Sequence, residues 1–255
     1  MIMETSPAPQ DRGVPAADVP PADVPTADLP VTDVPARYPS CGQLQLGWCG
    51  GVLSVGLNRP RKRNAIGVEM TLEIERTLLA AQSDAELRVI VLHGVGEHFS
   101  AGMDMKDFFD HTDRDPDALR RARAATDNWR ARVLRRLPQT VIAAVRGYCL
   151  GGALPLLECA DIVLASGDAV FGLPEINFGF VPGGPIAKSL RGAVTVRAAS
   201  YAALSGRPFD ACQARKWGLV THVVEHGDPY DEALALAHRV ARAAHDIQLQ
   251  RTESR

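Results

Sequence analysis

Two neighbouring glycines and one carboxylate are the residues of this sequence best suited to chemistry. Gly151 and Gly152 lie just beyond the β-rich apolar run Val141 to Val145, and an apolar stretch of helical character, Ala153 to Cys159, follows at once. A strand that turns through glycine into a helix leaves first-turn N–H groups without intrahelical acceptors. The missing Cβ atoms also let a ligand approach the backbone, so the turn predicts an oxyanion or phosphate site. Glu175 is the one carboxylate in the apolar window Val170 to Pro182. Desolvation there disfavours the charged form and moves the carboxyl pKa up, towards the range useful for proton transfer. A tight turn and a helix-start carboxylate are the plain readings of each feature alone. Together they are more specific than either feature alone.

The surrounding pattern supplies elements to hold these groups. Arg88 to His93 reads as a buried strand, followed by the Gly94–Glu97 turn, the segment Phe99 to Asp104, and a helix from Asp104 through Phe109. This second strand–Gly-loop–helix unit can present another backbone N–H. Upstream, Leu44 to Leu57 carries a hairpin signal around Cys49-Gly50-Gly51. The run Arg59 to Arg63 packs four cations into five positions, and Asn64 is a candidate cap for a helix over Gly67 to Gln82. Residues 110–117 read as a polar loop, and Leu119 to Leu137 as a long helix with its arginines on a solvated face. Further strands are expected at Asp161 to Ala165 and Leu219 to Val224. Further helices are expected over Ile186 to Arg191, Thr195 to Leu204, Ala211 to Trp217 (capped by Asp210) and Tyr230 to Ala244. The β-α-β-α alternation from 88 to 224 predicts an α/β layered fold with parallel crossovers.

Composition bounds the function classes. The chain has 255 residues, 46% of them hydrophobic, and a formal net charge of −2, which removes any global electrostatic case for nucleic acid or membrane partners. Five cysteines lack CxxC spacing and most sit in apolar runs, as buried thiols of a reducing, cytoplasmic compartment would. The seven histidines show no metal-ligand pairing, so no metal is expected. Neither a signal-peptide core nor a transmembrane run is present in the sequence. Residues 1–38 repeat a small unit of Asp, Val or Leu, and Pro, and are expected to form a disordered tail ahead of a domain at 39–255.

From about Leu44 to Ala244 the chain resembles the crotonase (enoyl-CoA hydratase/isomerase) superfamily. The matching segments are NRPRKRNAI at 58–66, FSAGMDMKDFF at 99–109, AAVRGYCLGGALPLLECADIVLAS at 143–166, FGLPEINFGFVPGG at 171–184 and SGRPFDACQARKWGLVTHVV at 205–224. The motifs at 102–109 and 175–184 are most similar to those of hydroxycinnamoyl-CoA hydratase-lyases. The resemblance implies a crotonase-like spiral of ββα units with a helical C-terminal region, assembled as a homotrimer or a hexamer. It implies no permanently bound cofactor, with an acyl-CoA or carrier-protein thioester as substrate. The Met103 and Gly152 N–H groups would form an oxyanion hole, with Glu175 as general acid/base. Arg59, Lys62, Arg63, Ala101, Asp104 and Met105 would contact coenzyme A, and Phe108, Gly151, Pro155, Pro174 and Phe180 would line the acyl pocket.

Three departures accompany the match. Pro155 stands where two-glutamate hydratases carry a second glutamate and the hydratase-lyases a serine. Phe108 stands where the lyases have a tyrosine, and the C-terminal helices are shortened. The leading expectation is a hydratase/lyase. An enoyl-CoA isomerase with a single glutamate and a non-catalytic helper subunit of the same fold are the alternatives.

Overall fold

Six apolar segments pair into one sheet because their residues alternate between two buried faces. The structure, a computed structural model, describes residues 34–38, 40–109, 116–179 and 190–253. Strands β1 (Leu44–Cys49) and β2 (Val52–Leu57) form the expected hairpin, with Gly50 and Gly51 at positive φ in its turn. Strands β3 (Val89–Gly94), β4 (Thr140–Val145), β6 (Ile162–Ser166) and β9 (His222–Val224) then add in parallel, in the order β1-β2-β3-β4-β6-β9. Every residue of β2 is buried, as befits a parallel sheet covered on both faces. Leu53, Val55, Ile90, Leu92, Val141 and Ala143 point into the larger core cluster. Their alternates Val52, Val89, Val91, Ile142 and Ala144 pack against Ala233, Ala237 and Ala241. Those three alanines recur at four-residue intervals on α7 (Pro229–Glu253) and let that helix lie close on the sheet.

A second, smaller sheet was not legible in the sequence. It joins β5 (Tyr148–Leu150), β7 (Val170–Gly172) and β8 (Phe209–Asp210), with β5 and β7 parallel. Its members are two or three residues long, too short for an alternating pattern to show. The helices among the described residues are α1 (Val68–Gln82), α2 (Met105–Phe109), α3 (Pro116–Asn128), α4 (Leu154–Glu158), α5 (Val196–Ser205), α6 (Ala211–Trp217) and α7. Thr195 caps α5 and Asp210 caps α6, each accepting from the N–H three residues on, and α6 stops at Gly218 in the left-handed conformation.

Several expectations need correction. Asn64 does not cap α1, whose N-cap is Gly67. It is fully buried at φ 53, accepts from the Arg59 N–H and donates to the carbonyls of Val95 and His98. It therefore ties the basic loop to the loop after β3. The expected helix over Leu119 to Leu137 is three pieces: α3, a π-helical turn at Trp129–Val133 and a 3-10 turn at Leu134–Arg136. The last helix runs to Glu253, well beyond Ala244. Of the helix expected over Ile186 to Arg191, residues 186–189 lie outside the described residues, and Leu190–Gly192 is a 3-10 turn. Residues 1–33 of the expected tail also lie outside them. Tyr38, assigned to that tail, is buried and donates to Asp84, which also pairs with Arg37.

Candidate active site

Three chain segments end side by side, and their ends carry the candidate groups. Ser100 bridges in parallel to Cys149, and Cys149 pairs in parallel with Phe171. The residues just beyond each pairing, Gly102-Met103, Gly151-Gly152 and Pro174-Glu175, are thereby brought together. Parallel strands commonly place ligands beyond their C-terminal ends for this reason.

Met103 contributes a free donor. Ile66 takes the flanking groups, donating to the Gly102 carbonyl at 2.8 Å and accepting from the Asp104 N–H at 2.9 Å. The Met103 N–H between them has no acceptor among the described residues. Gly152 lies in the first turn of a 3-10 segment, Gly151–Ala153, that runs into α4, so no intrahelical carbonyl reaches its N–H. The two backbones approach closely: a Cβ built on Gly102, at φ +92, would stand 3.2 Å from the Gly152 nitrogen.

Glu175 opens the 3-10 turn Pro174–Phe178, with Pro174 at its first position, and is half-buried. Its Oε1 rests against Gly151, 2.7 Å from where a Cβ on that residue would be, and Gly151 has φ +49. Glycine is thus required at 151 twice over, by conformation and by space. Oε2 of Glu175 is buried without a hydrogen-bond partner. Burial moves the carboxyl pKa above its ordinary value, partly offset by a hydrogen bond from its own backbone N–H and by the charge of Arg130. A carboxylate with one oxygen free, beside two unpaired N–H groups, can move a proton while those groups hold a developing oxyanion.

Arg130 is the residue that sequence reasoning missed. Read as part of a solvated face, it instead donates from Nη2 to the Gly152 carbonyl at 2.8 Å and lies 2.8 Å from the Met103 sulfur. The available signal was helical spacing, since Leu119, Ala122 and Thr126 form a buried stripe that reaches position 130 after four more residues.

The remaining expected residues divide. Phe108 is buried with Val68, Leu119 and Ala122, and Met103 packs on that cluster. Pro155 is buried in the first turn of α4, where its missing N–H costs nothing. The basic loop is partly committed within the chain. Arg59 pairs with Asp104 at 3.0 Å and donates to the Ala65 carbonyl, and Lys62 reaches Asp104 at 3.4 Å. Burial of Asp104 works to raise its pKa. The Asp107 N–H, Arg59 and Lys62 outweigh it and hold the carboxyl below its ordinary value. Arg63 is exposed and lies over the Tyr148 ring, and the Ala101 N–H donates to its carbonyl. Met105 is exposed at the start of α2. Phe180 lies outside the described residues. Among the described residues no group of three His, Cys, Asp or Glu side chains is arranged to hold a metal ion.

Comparison with known proteins decides the family. A family model described as enoyl-CoA hydratase/isomerase matches residues 48–254. The chain belongs to this family. It is 35% identical over 175 residues to a hydroxycinnamoyl-CoA hydratase-lyase of Pseudomonas fluorescens, a match covering 68% of this chain and 63% of that protein. It is 39% identical over 198 residues to a mevalonyl-coenzyme A hydratase of Aspergillus fumigatus, covering 75% and 68% of the two chains. The solved enoyl-CoA hydratase/carnitine racemase of Magnetospirillum magneticum superposes with a TM-score of 0.71 at 29% identity, covering 84% of this chain and 82% of that one. The crotonase-type α/β fold expected from the sequence is therefore the fold observed.

Proposed function

We propose that this member of the enoyl-CoA hydratase/isomerase family hydrates, and in a lyase cleaves, a CoA thioester through an enolate. The observation that carries the reading is the unpartnered Oε2 of Glu175, buried beside the unpaired N–H groups of Met103 and Gly152. The thioester oxygen would accept from those two N–H groups, each worth about 3 kcal/mol to the transition state when well aligned. One carboxylate closes the cycle. Glu175 takes a proton from water as the water oxygen bonds to Cβ, and the double-bond electrons move into the thioester as an enolate. The Glu175 carboxylic acid then returns that proton to Cα. For cleavage, Glu175 takes the proton of a β-hydroxyl and the Cα–Cβ bond breaks to a carbonyl and a thioester enolate. The same acid protonates the enolate. Similarity to a hydroxycinnamoyl-CoA hydratase-lyase and to a mevalonyl-coenzyme A hydratase supports this class of reaction.

A second reading has its own observation. Pro155 is buried where a water-holding side chain would stand, and a single carboxylate suffices to shuttle a proton from Cα to Cγ in an enoyl-CoA isomerase. The coenzyme A phosphates would meet the exposed Arg61 and Arg63 and the outer part of Lys62. An association of three copies or of two trimers is supported by exposed apolar side chains on the Glu175 turn and α5. These are Ile176, Phe178, Val196, Tyr201 and Leu204. A reducing, cytoplasmic setting suits the five free cysteines.

The test is product analysis by mass spectrometry with feruloyl-CoA, coumaroyl-CoA and a 3-enoyl-CoA, for the wild type and Glu175→Gln. The variant is expected to fold and bind thioester while turnover drops ~10²-fold or more. Aromatic aldehyde with acetyl-CoA marks the lyase, and a displaced double bond marks the isomerase. Near-normal turnover by Glu175→Gln removes the carboxylate from the mechanism.

A further inference from the structure

Arg130 has a charge that the proposed mechanism does not use. It rises from the π-helical turn Trp129–Val133 into the space between Gly152 and Met103. Its close partners, a backbone carbonyl, a thioether and the Trp129 ring 4.9 Å away, are all neutral. Its Nε is buried without an acceptor, and no carboxylate among the described residues stands within ion-pair distance of it. Burial lowers its pKa to about 10, with Asp127 and Glu175 opposing that change from further off. The group is thus a cation at neutral pH, near enough to Glu175 for each charge to act on the other. A guanidinium offers donors in a planar fork, and burying one without an anion is costly. The anion that completes it is absent from the described residues.

Its place relative to the donor pair narrows what that anion is. In a helical turn the N–H and C=O of one residue point to opposite ends. Arg130 binds the Gly152 carbonyl, so it stands beyond the N–H that would face a thioester oxygen. The Met103 side chain leads from one place to the other, since the Met103 N–H is the second donor and its sulfur touches Arg130. An acyl chain anchored at the two N–H groups and running along Met103 would arrive at the fork.

We propose that Arg130 reads the far end of the acyl chain, and that the substrates of this protein are CoA thioesters whose acyl group carries a carboxylate. This rests on the thioester reading given above. An uncharged chain would leave the buried cation unpaired, whereas a carboxylate would take its free N–H groups in a charge-assisted pair.

Isothermal titration with saturated thioesters, which bind without reacting, tests this apart from turnover. Glutaryl-CoA is compared with valeryl-CoA, and adipyl-CoA with hexanoyl-CoA. Wild-type protein is expected to bind the carboxylated member of at least one pair about tenfold more tightly or better. Arg130→Gln should abolish that preference, and Arg130→Lys should restore part of it. Equal or weaker binding of both carboxylated esters by the wild type overturns the proposal, and this comparison needs no variant to fold. A preference that survives in Arg130→Gln overturns it as well. If valeryl-CoA and hexanoyl-CoA bind but neither carboxylated counterpart binds more tightly, only the carboxylate inference falls. If none of the four esters binds, the thioester reading falls and takes this inference with it.

Discussion

Gly151→Ala separates the role of backbone conformation from the role of Glu175's position. Gly151 has φ +49, where a Cβ meets the following carbonyl, and the substitution costs roughly 1–2 kcal/mol on that account. For a domain of this size that lowers the melting temperature by about 2–8 °C. The same Cβ would lie 2.7 Å from Glu175 Oε1, so the carboxylate must retreat by about 0.7 Å to reach ordinary contact, and displacements near 1 Å can cost 10²-fold in rate. Turnover of Gly151→Ala is therefore expected to fall roughly 10- to 100-fold, with thioester affinity less affected. Gly50→Ala is the matched control, because Gly50 has φ +54 in the β1–β2 turn and its Cβ would meet nothing within 4 Å. It should show the same loss of stability with full turnover. The assay is steady-state product formation alongside a thermal melt of both variants. Equal activity in the two would refute the claim that Gly151 exists to seat the Glu175 carboxylate.

The other expectations concern pH, the basic loop and the thiols. Glu175 must be ionised to act as a base, and burial raises its pKa, so kcat/KM should fall on acidification at a pH above the ordinary carboxylate range. Arg130 favours the ionised form, so Arg130→Gln should move that limb to still higher pH, and a limb that stays put would remove the coupling. Asn64→Ala strips three hydrogen bonds from a fully buried position at positive φ. A loss of about 3 kcal/mol, or a melting temperature lower by on the order of 10 °C, is expected from denaturant and thermal unfolding. Cys41 and Cys212 are exposed and should react rapidly with a thiol reagent in the native protein. Cys149 is buried and its pKa is pushed well up by desolvation, so it should react only on unfolding.

What was legible in the sequence followed from local pattern. Val141 to Val145 and Arg88 to His93 are long enough and apolar enough to announce themselves as buried strands, and Asp210 and Thr195 sit where a cap must sit. Gly151-Gly152 and Glu175 stood out because their chemistry is unusual for their surroundings. What stayed hidden depended on partners far along the chain. The cations at 59–63 carry no local sign of an internal partner, yet the acceptor of Arg59 is Asp104, 45 positions on. Asn64 has the composition of a helix cap, but its amide serves a loop that only the folded sheet brings near. Arg130 reads as one more surface arginine until the carbonyl of Gly152 and the sulfur of Met103 are seen beside it. The pairing of β5 with β7, which sets Gly151 next to Glu175, involves three residues a side and leaves too short a trace for periodicity to find.

That small parallel pairing also divides the labour of the site. The groups suited to gripping a carbonyl are main-chain atoms at Met103 and Gly152, indifferent to side-chain identity so long as the backbone keeps its path. The group suited to directing a proton is a side chain on a separate five-residue turn, Pro174–Phe178. Activation of the electrophile and the itinerary of the proton are therefore independently variable. In the proposed mechanism, substitutions at Pro155 or Glu175 would redirect the outcome among addition, cleavage and double-bond migration while the main-chain donors stay in place.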